Sequence, residues 1–370
     1  SSPSPPLDVP AVAASLEAHA KFISENLELR GSATNNHLLA NGGALYLIGA
    51  QLKSQPYLEA GREIIRRCIR EMFTPEGFLS ENSSHYHLLA CRTMVEIVAS
   101  ANDMSDQPFA SEGCDHLSKM FHGAALLRET EPLPHFGDVS PDMAPDNVLA
   151  YVQRFMADAS EMESIRVAAF PSSGYYRLKN SQWKIVFHAN RLGCVPPGSH
   201  GHDDLLSFNI YHNGRPVLAD PGNSTYADGP MGRFWRSAYA HNTIAIDGLG
   251  PSVVHAHSAH VPLLLPSYCP APTAIKGGYD GEFLAVEMSC PGYGRIAPGM
   301  AVHRYIFVAG DHVIIEDHIG GKGRHDAQWF FHFHPASSVR SGEFTIDADV
   351  DGSSGMKRGI FVGHGGRNPM

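Results

Sequence analysis

Two histidines and two aspartates fall within five residues: His200, His202, Asp203 and Asp204, in the stretch GSHGHDDLLSFNIYHNGRPVLADPG. They stand just ahead of the apolar run LLSFNIY, and Asp220 ends the returning run. Residues two apart in an extended segment point the same way, so His200 and His202 share one side. Asp220 lies across the expected hairpin, and His241 follows in AYAHNTIAIDG. Two imidazoles, one carboxylate and a water make an ordinary zinc shell. The same side chains suit proton transfer. Any one of these histidines alone could be a hydrogen-bonded core residue. Together they point to a metal site, a proton-transfer site, or both.

Two further clusters lie upstream. TNNHLLANGG places Asn35, Asn36 and His37 at the start of an expected helix. One asparagine suffices as an N-cap; a run of Asn, Asn and His exceeds that need, and side-chain amides can donate to a carboxylate and ease removal of a neighbouring proton. EGFLSENSSHYHLL carries Glu81, Asn82, His85, Tyr86 and His87 at a loop-to-helix junction, with Ser83 or Ser84 as candidate cap. A tyrosine there serves as acid or base if positive neighbours lower its pKa. Weaker signals are His135 and Asp138 in LPHFGDVSPD, Arg233 and Arg236 in GRFWRSAYAHN, and Tyr226 after LADPGNST. Either arginine could bind an anion or sit in a surface ion pair. His332 and His334 alternate in FFHFHP and read as core or cleft lining.

These clusters need two kinds of scaffold. Up to about residue 165, apolar positions recur three and four apart, as in NNHLLANGGALYLIGAQL and YLEAGREIIRRCIREMF, with short Pro, Gly, Ser or Asn spacers. Successive antiparallel helices joined in this way give a helical array or toroid. From SSGYYRLKN onward the period is two, with Asn213-Gly214 at a hairpin tip and AGDH as another turn. Many short strands without intervening helices argue an antiparallel sandwich. The expected fold is therefore α+β and multidomain: residues 1–168 helical, 169–370 antiparallel β, with the boundary in RVAAFPSSG.

The 370 residues suit two domains, and a hydrophobic share of 43% lets both be packed. A net charge of −10 argues against nucleic acid as partner, although local His and Arg clusters still accommodate an anionic substrate. No run of about 18 apolar residues would span a membrane. The six cysteines include no CxxC pair and read as mostly free and buried. The N-terminal SSPSPPLDVP shows neither a basic n-region nor an apolar h-region, so no signal peptide is visible.

The order NNH, ENSSHYH, GD, HGHDDLLSF, LADPG and AHNT resembles the heparinase II/III-like polysaccharide lyases, which include alginate lyases. The motif resemblance covers roughly residues 30 to 250 and implies an N-terminal (α/α) toroid followed by a C-terminal antiparallel β-sandwich. It implies β-elimination on a uronic-acid polysaccharide: neutralisation of the uronate carboxylate, removal of the C5 proton, and protonation of the departing O4. By resemblance, Asn36 and His37 are the neutralising pair, Tyr86 the acid (and, for one epimer, also the base), and His200 the base for the opposite face. His202, Asp220 and His241 are implied ligands of one structural zinc per chain. Asn35, His85, His135, Tyr226 and Arg236 complete the expected substrate contacts, and Asp203 and Asp204 orient the turn. The implied partner is an anionic uronate polymer; a homodimer is compatible with the resemblance, and the implied location is periplasmic or secreted. Only residues 1–34 precede the first motif, so the toroid is expected to be incomplete unless the chain is a fragment. Two other classes compete. One is a non-catalytic carbohydrate-binding protein of the same fold. The other is a cupin-like metal oxygenase, which has no use for NNH and HYH.

Overall fold

The computed structural model describes residues 8–29, 35–128, 133–156, 165–189, 200–227, 229–252, 276–279, 283–341, 345–350 and 357–360. Helices come first: α1 (Val9–Glu25), α2 (Asn36–Leu52), α3 (Gln55–Met72), α4 (Ser84–Asp103), α5 (Gln107–Arg128) and α6 (Pro145–Gln153). Three starts are set by side-chain caps. Asp8 accepts from the Ala11 amide at 3.1 Å, Asn35 from His37 at 3.1 Å and Ser83 from Tyr86 at 3.1 Å. The α2–α3 contact depends on small residues: a Cβ on Gly61 would lie 2.6 Å from the Tyr46 amide nitrogen, so backbone rather than side chains fills this interface. The nine-residue α6 was not singled out by periodicity, because a segment this short spans too few turns for a stripe to show.

The second half is antiparallel sheet. The first sheet runs in sequence order through β1 (Val167–Phe170), β2 (Tyr175–Lys179), β3 (Trp183–His188), β4 (Phe208–His212) and β5 (Arg215–Leu218). The expected hairpin joins β4 and β5: Asn213 and Gly214 take φ of 51° and 78°, the left-handed pair that a tight two-residue turn needs. A short helix α7 (Pro230–Trp235) and strand β6 (Ile244–Ile246) follow. A second sheet has the order β10-β9-β8-β7, built from β7 (Lys276–Tyr279), β8 (Phe283–Cys290), β9 (Ala301–Ala309) and β10 (His312–Gly320). The expected turn in AGDH joins β9 to β10. Strand β11 (Ala327–Trp329) pairs with β6, and β12 (Ser337–Ser341), β13 (Thr345–Val350) and β14 (Lys357–Ile360) form a separate three-stranded sheet.

The alternation of side chains across the first sheet explains how the halves join. Tyr175 and Val186 belong to the helical core, while Tyr176, Leu178, Ile185 and Phe187 belong to a core shared with Leu284, Val286, Met288, Val302 and Ile306 of the second sheet. Strand β3 is therefore buried on both faces. Phe78, ahead of α4, stacks on Tyr175 at 5.1 Å, so the loop bearing the HYH motif is fixed to the sheet.

One strand reading needs correction. The alternation in AQWFFHFHP predicts a single strand with His332 and His334 on one face. The ladder ends at Trp329, and only an isolated bridge joins Phe333 to Leu218. The chain leaves the ladder because its amides find other partners: His332 N–H donates to Asn242 Oδ1 at 2.6 Å and His334 N–H to the Val217 carbonyl at 3.1 Å. Cys68, Cys91 and Cys290 are free and buried as expected, but Cys114 is exposed on α5; Cys194 and Cys269 lie outside the described residues.

Candidate functional site

The site forms where the N-termini of α2 and α4 meet the loops ahead of β4. Ser83 caps α4, and this fixes Tyr86 in the first turn. Its ring stacks on His200 with centroids 3.6 Å apart and planes at 17°. The Tyr86 hydroxyl is 3.2 Å from that of Tyr226. Burial raises the pKa of both phenols; for Tyr226 the carboxylate of Asp138 adds to the effect. No positive neighbour lowers Tyr86, so its resting form is the protonated acid.

His200 is held from both ring edges. Nδ1 lies 3.0 Å from Asp138 Oδ2. Nε2 lies 3.4 Å from Asn36 Nδ2 and 3.4 Å from Glu81 Oε2. An ionised Asp138 only accepts, so it places the His200 proton on Nδ1 and leaves the Nε2 lone pair for chemistry. Asp138 also binds His202 Nε2 at 2.8 Å and approaches Arg236 Nη1 at 3.5 Å. Its own amide donates to the His200 carbonyl at 2.8 Å. Gly137 permits this closeness. With φ of 68° and a Cβ that would run into the Asn82 and His200 carbonyls, the position suits glycine alone.

Behind His200 lies a second buried group. His241 Nδ1 sits 2.9 Å from Asp220 Oδ1, and Nε2 is 3.0 Å from the Trp235 carbonyl. Burial alone would lower the His241 pKa, but Asp220, supported by Asp204 and Asp203, overrides it and holds it up at about 9. The His202 and His241 rings are 5.0 Å apart, and His202 Nδ1 is buried without a hydrogen-bond partner among the described residues. Two imidazoles, a carboxylate and an unused ring nitrogen fit a zinc ion in donor chemistry. Among the described residues, however, no three such side chains stand as a ready-formed metal shell. Asp203 orients the neighbouring turn by accepting from the Ser252 amide at 2.6 Å, and Asp204 faces His188 at 3.8 Å.

The structure thus brings Asn36, Tyr86, His200 and Tyr226 together, with His202, Asp220 and His241 behind them. Other expected residues have competing engagements. Asn35 spends its side-chain oxygen on the α2 cap. His37 points to Glu28 at 3.0 Å, with its side chain 56% exposed. His85 accepts from the Ser140 amide at 2.9 Å, and burial pushes its pKa down to about 4. His135 is held below the usual imidazole range by burial. Arg236 is buried, with Nη2 donating to the Gly201 carbonyl at 3.2 Å, whereas Arg233 is exposed. Glu81 and Asp138 both lay in the sequence clusters but received no role there. Their signal was a carboxylate beside each motif, and only the fold shows both carboxylates facing one imidazole.

Comparison with known proteins identifies the family and the fold. The model of the heparinase II/III-like C-terminal domain matches residues 163–367. The chain belongs to the heparinase II/III-like family. A heparin-sulfate lyase of Bacteroides thetaiotaomicron is 23% identical over 260 residues, covering 57% of this chain and 36% of that protein. Among solved structures, Heparinase III superposes with a TM-score of 0.71 at 16% identity, covering 93% of this chain and 60% of that one. The heparan sulfate lyase HepC of Pedobacter heparinus gives 0.67 at 15% identity, with coverages of 91% and 53%. The chain therefore spans between 36% and 60% of the length of these relatives, and shares with the solved structures a fold of N-terminal helices and C-terminal antiparallel sheets.

Proposed function

We propose that the protein is a polysaccharide lyase that cleaves a uronate polymer by β-elimination, with its helices forming part of an (α/α) toroid and its two larger sheets a sandwich. The division expected at residues 168 and 169 is then a junction of two units, with the first sheet contributing to both cores. The observation that carries this reading is the stacking of Tyr86 on His200, with Asn36 at the same imidazole nitrogen. Elimination needs a base and an acid at one sugar ring, beside a donor that stabilises the carboxylate as its charge grows. His200 Nε2 offers a lone pair oriented by Asp138. Tyr86 offers a proton, retained because burial keeps the phenol neutral. The Asn36 amide donates to the uronate carboxylate, while His37 adds a donor once it leaves Glu28. The relatives named as heparin and heparan sulfate lyases favour a glycosaminoglycan over alginate. His202, Asp220 and His241 would hold a structural zinc, which supplies rigidity to the loop that carries His200 and no contact with substrate.

The test is a panel of uronate polymers, including heparan sulfate, alginate and hyaluronan, followed by the ultraviolet absorbance of the new C4=C5 double bond. Absorbance growing on at least one polymer is expected. Binding without absorbance on all of them would favour a non-catalytic carbohydrate-binding protein.

A further inference from the structure

Glu81 is 3% exposed, yet its two oxygens are unequally used. Oε1 accepts from the backbone N–H of Asn36, the first residue of α2, at 2.6 Å. Oε2 is buried, has no hydrogen-bond partner among the described residues, and lies 3.4 Å from His200 Nε2. A buried carboxylate oxygen that makes no hydrogen bond is costly to folding. A glutamate whose only task was to dock α2 would be served equally well by glutamine, without burying a charge. The second oxygen therefore needs a reason, and the group it faces is His200.

Resting on the lyase reading above, we propose that Glu81 is a positioning residue: one oxygen fixes the helix start that carries Asn36, and the other sets the His200 ring edge that faces the sugar. His200 then lies between two carboxyl groups: Asp138 accepts at Nδ1, Glu81 in its protonated form faces the Nε2 lone pair, and the Tyr86 ring further fixes the plane. A single side chain thus keeps the carboxylate-binding amide and the base in register, although they lie 164 residues apart in sequence. Burial also pushes the Glu81 carboxyl up to about 7, so around neutrality it holds or releases a proton at little cost.

The substitution Glu81→Gln separates the two tasks. An amide oxygen still accepts from the Asn36 backbone N–H, but an NH2 group that cannot give up its proton replaces the carboxyl oxygen facing Nε2. The full chain is compared with Glu81→Gln for thermal midpoint, KM, kcat and the ¹⁵N shifts of the His200 ring. The expected result is a thermal midpoint at or above the original, KM within about threefold, and kcat lowered at least tenfold. The His200 Nε2 shift should move. Unchanged kcat together with unchanged His200 shifts would overturn the proposal and leave Glu81 as a helix anchor only. If the unsubstituted chain eliminates none of the polymers, the lyase reading fails. The ¹⁵N comparison then decides Glu81 by itself: a shift at Nε2 supports it, and superimposable spectra overturn it.

Discussion

Each group at the centre of the site has its state set by a neighbour. Asp138 fixes the His200 tautomer, burial keeps Tyr86 protonated, and Tyr226 shares its hydroxyl environment. Tyr86→Phe removes one oxygen and leaves the stacked ring, so the thermal midpoint should change little. Turnover should fall by at least the ~10²-fold typical of losing an acid–base group; unchanged turnover would shift the acid role to Tyr226. His200 and His202 are two residues apart and both touch Asp138, but their assigned tasks differ. His200→Ala should keep zinc and stability and lose elimination. His202→Ala should lose zinc and stability together, because two protein ligands make a poor shell. Metal analysis, unfolding and rate measured on both variants check this, and the reverse pattern would swap the roles. The ligand types at this scale were legible in the sequence, because HxH, Asp220 and AHN are compact motifs. The carboxylates beside His200 were not, since Glu81 and Asp138 reach it only through long-range folding.

The helices α4 and α5 position Tyr86, and they carry an acid liability. His85, His87 and His116 are each held at about 4 by burial, below the usual 6.5. Unfolded chains take up protons on these imidazoles as pH falls below 6.5, whereas the folded chain resists until about 4. Their stabilising contribution is thus complete above 6.5 and lost progressively towards 4. Glu81 runs the opposite way, since its pKa is raised: its contribution is present at low pH and lost between 4.5 and about 7. His116 packs edge-on against Phe73 at 4.7 Å, and its Nε2 has no partner among the described residues. His116→Gln should therefore narrow the loss of thermal midpoint between pH 6.5 and pH 4, while parallel curves for the two proteins would count against this assignment. Element types were readable because α2 to α5 each present several turns of apolar spacing, and because Asn213-Gly214 encodes its turn locally. The break after Trp329 was not, because it depends on Asn242 and Val217, far away in sequence.

At the scale of the molecule, the first sheet lies between the helices and the second sheet, so both cores brace the loops that bear the site. Arg304 shows the coupling: buried in β9, it donates to Asp317 at 2.7 Å and to the Leu206 and Asn242 carbonyls at 2.8 and 2.9 Å, beside the metal-ligand candidates. The central claim is that this assembly breaks a uronate glycoside by elimination and not by hydrolysis. Mass spectrometry of the oligosaccharides released from heparan sulfate tests it most directly. The account predicts fragments whose new non-reducing ends are unsaturated and lighter by one water than hydrolysis products. Saturated non-reducing ends, heavier by that one water, would contradict it.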